Sequence, residues 1–122
     1  MNIALWIIQA LLAFVFLAAG AMKLVKSKTE LEQQQGMGYV TERSAQEMKL
    51  IGLAEVLGGI GLIVPWLLNI LPILTPIAAA GLTMIMLGAI VTHVRRKESA
   101  LFVTGLTLLT LIVAIARFRM MA

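Results

Sequence analysis

Long apolar runs alternate with short polar connections along the whole chain. The apolar runs cover about residues 2–24, 45–64, 76–94 and 99–116. Each run approaches the ~20 apolar residues that a helix needs to cross the hydrocarbon core of a bilayer. The pattern therefore predicts an all-α fold, an integral membrane four-helix bundle with up-down-up-down topology, in which residues 1–122 form a single domain.

The first run could instead be a cleaved signal peptide, because Ala19-Gly20-Ala21 resembles a cleavage site. No basic residue precedes the run, and the run is longer than the apolar core of a typical signal peptide. We therefore expect a helix that stays in the membrane.

Polar and small residues recur at helical spacing on one face of three predicted spans. A polar side chain inside a bilayer is costly unless it faces the interior of the protein, so we expect these faces to point into the bundle. The faces are formed by Gln9, Ala13, Phe16, Gly20 and Lys23 in the first span, Thr83, Met86, Ile90 and His93 in the third, and Thr107, Thr110, Ala114 and Arg117 in the fourth.

The connection between the first two spans is polar and predicts a solvated segment that contains a short interfacial helix. Thr29-x-x-Glu32 fits a capping box for this short helix, and Ser44-x-x-Glu47 fits one for the second span. An alternative is a lid over the nearby membrane face, with Tyr39 as its interfacial anchor.

Basic residues are unevenly divided between the two ends of the predicted bundle. One end, with the first and third connections, holds Lys23, Lys26, Lys28, Arg43, Lys49, Arg95, Arg96 and Lys97, whereas the other holds Arg117 and Arg119. Because Lys and Arg in short loops favour the cytoplasmic side, we expect connections 1 and 3 to be cytoplasmic and both termini external. The expected location is the bacterial inner membrane.

The composition agrees with a membrane protein and narrows its chemistry. Of the 122 residues, 61% are hydrophobic and 13% are charged, against roughly half and a quarter in soluble domains. The absence of cysteine excludes thiolate catalysis, disulfides and iron–sulfur clusters. The single histidine argues against a bis-histidine haem or a zinc site. With no cofactor motif in view, we expect no metal, no cofactor and a non-enzymatic role, and we expect no nucleic acid partner.

One carboxylate, Glu55, lies inside the second apolar run. An ionised acid in hydrocarbon needs a partner and is a candidate functional residue. Antiparallel packing of the spans would bring Lys23, His93 and Thr107 to a similar depth. These four residues are therefore our candidates for binding a ligand or a partner, and an alternative is that a paired Glu55 only fixes the register of the helices.

Glycines mark the faces where helices can approach each other closely. We expect helix packing at Gly20, Gly52, Gly58, Gly59, Gly81 and Gly88. Gly81 and Gly88 share a face that would contact a second helix or a second subunit, so we expect a homo-oligomer or a complex with another membrane protein.

Three stretches of the chain carry a recognisable pattern: Phe14-Val-Phe16-Leu-Ala-Ala-Gly20-Ala-Met-Lys23-Leu24, Gly52-x-x-Glu55-x-x-Gly58-Gly59-x-Gly61-Leu62-x-x-Pro65 and Gly88-Ala89-Ile-Val-Thr-His93. In this order they resemble the DoxX-like family of small membrane proteins. The resemblance implies a four-helix bundle and places the family's Gly–Lys helix end and its glutamate at Lys23 and Glu55. The family name comes from a subunit of a thiosulfate:quinone oxidoreductase, and other relatives resemble accessory or chaperone-like membrane proteins.

Three functions are consistent with the sequence. The first is a non-enzymatic accessory or assembly subunit that acts through helix–helix contacts in the lipid bilayer. The second is a redox-associated subunit or a binding protein for a quinone- or lipid-like molecule, with Lys23, Glu55 and His93 as its polar site. The third is proton or ion movement through Glu55.

Overall fold

A computed structural model describes residues 2–33 and 44–121 of the chain. Within these residues the chain forms the helices α1 (Asn2–Val25), α2 (Lys28–Glu32), α3 (Ala45–Leu68), α4 (Leu74–Arg95) and α5 (Leu101–Met121). The four longer helices are long and apolar enough to cross a membrane. The predicted all-α bundle with four candidate spans is confirmed.

The four long helices form a ring in which successive spans are antiparallel neighbours. α1 packs on α3, α3 on α4 and α4 on α5, and α1 makes its smaller interface with α5. The centre is apolar and is formed by Leu12, Ala13, Phe16, Leu62, Ala79, Leu82, Met86, Val113 and Ala114. The polar faces of α1 and α5 point inward, since Gln9, Lys23, Thr107, Thr110 and Arg117 are all buried.

The short helix in the first connection exists, but its cap differs from the predicted one. Ser27, not Thr29, is the N-cap of α2, and it forms a capping box with Glu30. Leu31 then packs against Met48 of α3, which holds α2 close to the bundle. The predicted lid around Tyr39 lies outside the described residues.

α1, α3 and α4 extend beyond their predicted bounds, whereas α5 begins at Leu101, after the predicted residue 99, and ends later than predicted, at Met121. α3 continues through Pro65 and stops before Asn69, whose backbone is left-handed with a φ of 54°. Pro65 has no N–H to donate to the carbonyl of Gly61. The hydroxyl of Thr75 donates to that carbonyl instead, at 2.7 Å. Thr75 lies within α4, which begins at Leu74, and this bond ties the first turn of α4 to α3.

α3 and α4 touch towards the turn that joins them, whereas a cavity lies between Ile51 of α3 and Gly88 of α4 further from the turn. A Cβ on Gly58 would lie 2.7 Å from the side chain of Leu82, and one on Gly61 would lie 2.7 Å from the Cβ of Ala78. Further from the turn, no atom lies within 4 Å of the Cβ position of Gly88. Space therefore remains between the helices at the end of the bundle where α1 finishes.

Candidate functional site

A buried ion pair joins α1 to α3. The ammonium group of Lys23 donates a hydrogen bond to Oε1 of Glu55. Lys23 is 7% exposed and Glu55 is 2% exposed. The structure thus places the two charged candidates in direct contact, where each provides the partner that a charge inside a membrane requires.

Glycines on both helices allow this pair to form. A Cβ on Gly52 would lie 2.8 Å from the Cβ of Lys23 and 2.8 Å from the carbonyl oxygen of Gly20. Side chains on a helix lean towards its N-terminus. In this antiparallel pair Lys23 and Glu55 therefore lean towards each other across the glycine contact. Without side chains at Gly20 and Gly52, the lysine stem can lie against α3 and reach the carboxylate.

The ion pair lies on the wall of a cavity of about 590 Å³. All four long helices contribute to the cavity, and most of its lining is apolar. The lining residues are Val15, Phe16, Ala19, Lys23, Ile51, Glu55, Met84, Ile85, Met86, Gly88, Ala89, Thr92, His93, Ser99, Phe102, Val103 and Leu106. This is a concave site with a few polar groups in apolar surroundings, which is the usual form of a small-molecule site.

His93 lies on the same cavity, at the end of α4. Its Nδ1 donates to Oε1 of Glu98 at 3.0 Å, and Arg96 approaches the same carboxylate at 3.5 Å. The hydrogen bond from His93, aided by the charge of Arg96, holds the pKa of Glu98 below its usual value. The contact fixes the ring of His93 at the boundary between the cavity and the connection to α5.

The remaining candidates fall elsewhere. Thr107 is buried, but its hydroxyl donates to the carbonyl of Val103 and it does not line the cavity. Gly59 packs against Leu17 of α1. Gly81 and Gly88 are exposed and have no atom within 4 Å of their Cβ positions, so neither packs against a helix of this chain. No three His, Asp or Glu side chains in the described ranges lie close enough together to hold a metal ion.

A second buried charge lies at the opposite end of the bundle. Nε of Arg117 donates to Oε1 of Gln9 at 2.7 Å, and Nη1 donates to Oδ1 of Asn2 at 2.7 Å. The guanidinium carbon lies 4.6 Å from the ring centroid of Trp66 and 5.3 Å from that of Trp6. Its Nη2 has no hydrogen-bond partner among the described residues. The sequence placed Arg117 on an inward face but did not predict this cluster, since the tryptophans come from different helices.

A family model described as the DoxX-like family matches residues 7–115. The chain belongs to the DoxX-like family. With four candidate spans, it is an integral membrane protein of this family. The match covers the Lys23–Glu55 pair and all of the residues that line the cavity. No curated protein and no solved structure matches this DoxX-like chain.

Proposed function

We propose that this DoxX-like protein binds a small amphipathic molecule, quinone- or lipid-like, in the cavity between its four spans. The observation that supports the proposal is the buried Lys23–Glu55 pair on the wall of an apolar cavity of about 590 Å³. Of the functions consistent with the sequence, this one uses the candidate charges, His93 and the space between the helices together.

The ion pair offers hydrogen bonds to a bound molecule. An ammonium group has three N–H donors, and Lys23 uses one of them on Glu55 among the described residues. A carbonyl or hydroxyl group of a ligand can accept from the remaining donors. A carboxylate can also accept a bond from a ligand hydroxyl through its second oxygen.

The apolar walls select the other part of the molecule. Phe16, Ile85, Met86 and Val103 line the cavity, and burying a ligand's apolar surface there contributes about 25 cal/mol per Å² removed from water. Methionine adapts to different apolar shapes because its side chain is unbranched and flexible. A molecule with one polar end and an apolar body fits both parts of the site.

The test compares variants that separate binding from folding. Removing one member of a buried ion pair strands the other, so the double variant Lys23→Met with Glu55→Gln is the informative one. The probes are a benzoquinone with a decyl chain and 1-monodecanoylglycerol, each titrated into purified protein in nanodiscs. We expect wild type to bind one of them and the double variant to bind at least tenfold more weakly while it remains folded.

The partly exposed pair Lys28–Glu32, 3.8 Å apart on α2, provides the matched control. Lys28→Met with Glu32→Gln removes the same charges away from the cavity and should bind as wild type does. Equal binding by wild type and the Lys23–Glu55 double variant would refute the proposed site. Failure of wild type to bind either probe would remove the support for a quinone- or lipid-like ligand.

An accessory role is the second candidate, and one feature favours it. An apolar groove of about 450 Å³ runs between α3 and α4 on the surface, and Gly58, Gly61 and Gly81 are among its lining residues. Glycines at such a surface let another helix approach closely. Isolation from native membranes in mild detergent would test this role, since a stoichiometric membrane protein that is lost on Gly81→Leu would support it.

Proton or ion movement through Glu55 stays a prediction from the sequence. Glu55 is engaged with Lys23, and the other buried charge, Arg117, is bonded to Gln9 and Asn2. No acidic side chain is buried in the described residues other than Glu55. The ligand-binding proposal accounts for more of the site.

A further inference from the structure

The register of α3 against α4 identifies the part of the cavity that faces lipid. Gly58 is level with Leu82, and Gly61 is level with Ala78. Because these helices are antiparallel, the same register places Ile51 of α3 opposite Gly88 of α4. Both Ile51 and Gly88 line the cavity. The two helices therefore face each other across the cavity at this level, one turn from Glu55.

The cavity is open between these helices at Gly88. Gly88 is exposed on the surface of the bundle, and no atom lies within 4 Å of its Cβ position. Met84, one turn away on the same helix, is 69% exposed and also lines the cavity. Residues that line the cavity are thus part of the apolar outer surface of a membrane span. An opening at this position faces the acyl chains of the bilayer.

We infer that the ligand is a long-chain amphiphile whose uncharged head lies at the Lys23–Glu55 pair and whose tail leaves through the opening at Gly88. The inference rests on the proposed function and adds the chemical class and orientation of the ligand. A tail that extends past Gly88 remains in hydrocarbon along its whole length. A compact molecule without a tail would leave the apolar opening to be filled by lipid.

The charges at the site favour an uncharged head. Lys23 and Glu55 neutralise each other in one ion pair. The pair therefore offers no net charge to compensate an ionised head, which would also lose its hydration on entering the bundle. A quinone carbonyl or a glycerol hydroxyl can exchange hydrogen bonds with the pair without bringing a charge into it.

The cavity has a second boundary at the connection between α4 and α5. Ser99, which is exposed there, is also among the lining residues. A ligand that reached the site from water would enter the cavity through this boundary. A side chain added at Gly88 and one added at Ser99 therefore distinguish a tail in the bilayer from access through the connection.

The experiment combines three variants with probes of two lengths. Gly88→Leu fills the opening, Ser99→Leu fills the other boundary, and Gly105→Leu adds the same side chain at an open position on α5 outside the cavity lining. The long probes are a benzoquinone with a decyl chain and 1-monodecanoylglycerol, and the short ones are methylbenzoquinone and 1-monoacetylglycerol. Affinities are measured in nanodiscs. Binding of the benzoquinone probes by wild type would indicate a quinone ligand, and binding of the glycerol probes would indicate a lipid.

We expect Gly88→Leu to weaken the long probe at least tenfold and to change the short probe less than twofold. Gly105→Leu, which lies outside the cavity lining, should bind both probes as wild type does, and Ser99→Leu, at the other boundary of the cavity, should weaken the long probe less than Gly88→Leu does. Unchanged affinity of Gly88→Leu for the long probe, equal loss of both probes, or a loss confined to Ser99→Leu would overturn the inference. Wild type that binds no probe would instead refute the proposed function on which the inference rests.

A measurement on wild type alone removes the dependence on folding of the variants. The decyl probe is prepared with a diazirine at the end of its chain and photolysed in the nanodisc. Labelling at Met84, on the lipid side of the opening, would support the inference. Labelling at Ser99 instead would overturn it, because the tail would then lie towards the connection.

Discussion

The Cβ of Lys23 lies 2.8 Å from the point where a Cβ on Gly52 would stand. The stem of the lysine thus occupies space that any other residue at position 52 would need. Three residues further along α3 is Glu55, the partner of the lysine. The spacing Gly52-x-x-Glu55 therefore places two features on one face of α3. Gly52 leaves room for the stem of Lys23, and Glu55 pairs with its ammonium group.

Gly52→Ala should destabilise the protein because the new methyl group would meet both the stem of Lys23 and the backbone of Gly20. Overpacking of this kind costs about 1–3 kcal/mol. Gly105→Ala is the control, since nothing lies within 4 Å of its Cβ position, and alanine there should be neutral or stabilising by up to about 1 kcal/mol. Thermal unfolding in detergent measures both. Equal melting temperatures for the two variants would show that the contact is not tight.

Glu55→Gln should lower the melting temperature because it leaves the ammonium of Lys23 buried without its partner. Breaking a buried pair costs about 3–5 kcal/mol, and adding Lys23→Met should recover part of the loss. Glu32→Gln, in the partly exposed pair on α2, should change the melting temperature little. If the double variant is less stable than Glu55→Gln alone, the lysine does not depend on the glutamate.

Arg117→Leu should destabilise the opposite end of the bundle, because Gln9 and Asn2 lose their donor and the tryptophans lose the cation between them. A hydrogen bond from a charged group contributes about 1.5–3 kcal/mol. Arg119→Leu, an exposed neighbour on the same helix, is the control. Tryptophan fluorescence should shift for Arg117→Leu only, and a similar shift for both variants would argue against the cluster.

We expect connections 1 and 3 to be cytoplasmic, and the burial of Arg117 strengthens this prediction. Its charge is held inside the bundle and leaves Arg119 as the exposed basic residue on α5. Ser27→Cys and Ser99→Cys, both at exposed positions, should be protected from an impermeant thiol reagent in intact cells. A cysteine appended after Ala122 should be labelled. The reverse pattern would invert the orientation.

We also expect the protein to associate with itself through α4. Gly81 is exposed and has open space at its Cβ position, so a second helix could approach it closely. Gly81→Leu should reduce a crosslinked dimer in native membranes, whereas Gly105→Leu, at an equally open position on α5, should not. A dimer that is insensitive to Gly81→Leu would place the interface on another surface.

The sequence by itself determined the spans and most of the inward faces. Long apolar runs can only satisfy their backbone in a membrane as helices, and polar residues at helical spacing must turn away from lipid. Gln9, Lys23 and Thr110 are therefore buried as the spacing predicts, and Glu55 is buried beside a partner as its charge requires. The small interfacial helix followed from its capping residues, although the cap itself is two residues earlier than predicted.

Only the tertiary structure decided which of these residues contact each other and where a cavity lies between the helices. Periodicity gives the face of a residue but not its partner on another helix, so it could not join Arg117 to Trp6 and Trp66. It placed Thr107 at the depth of Glu55, yet the hydroxyl bonds to its own helix. The cavity depends on how all four long helices are spaced around it, which no local pattern records.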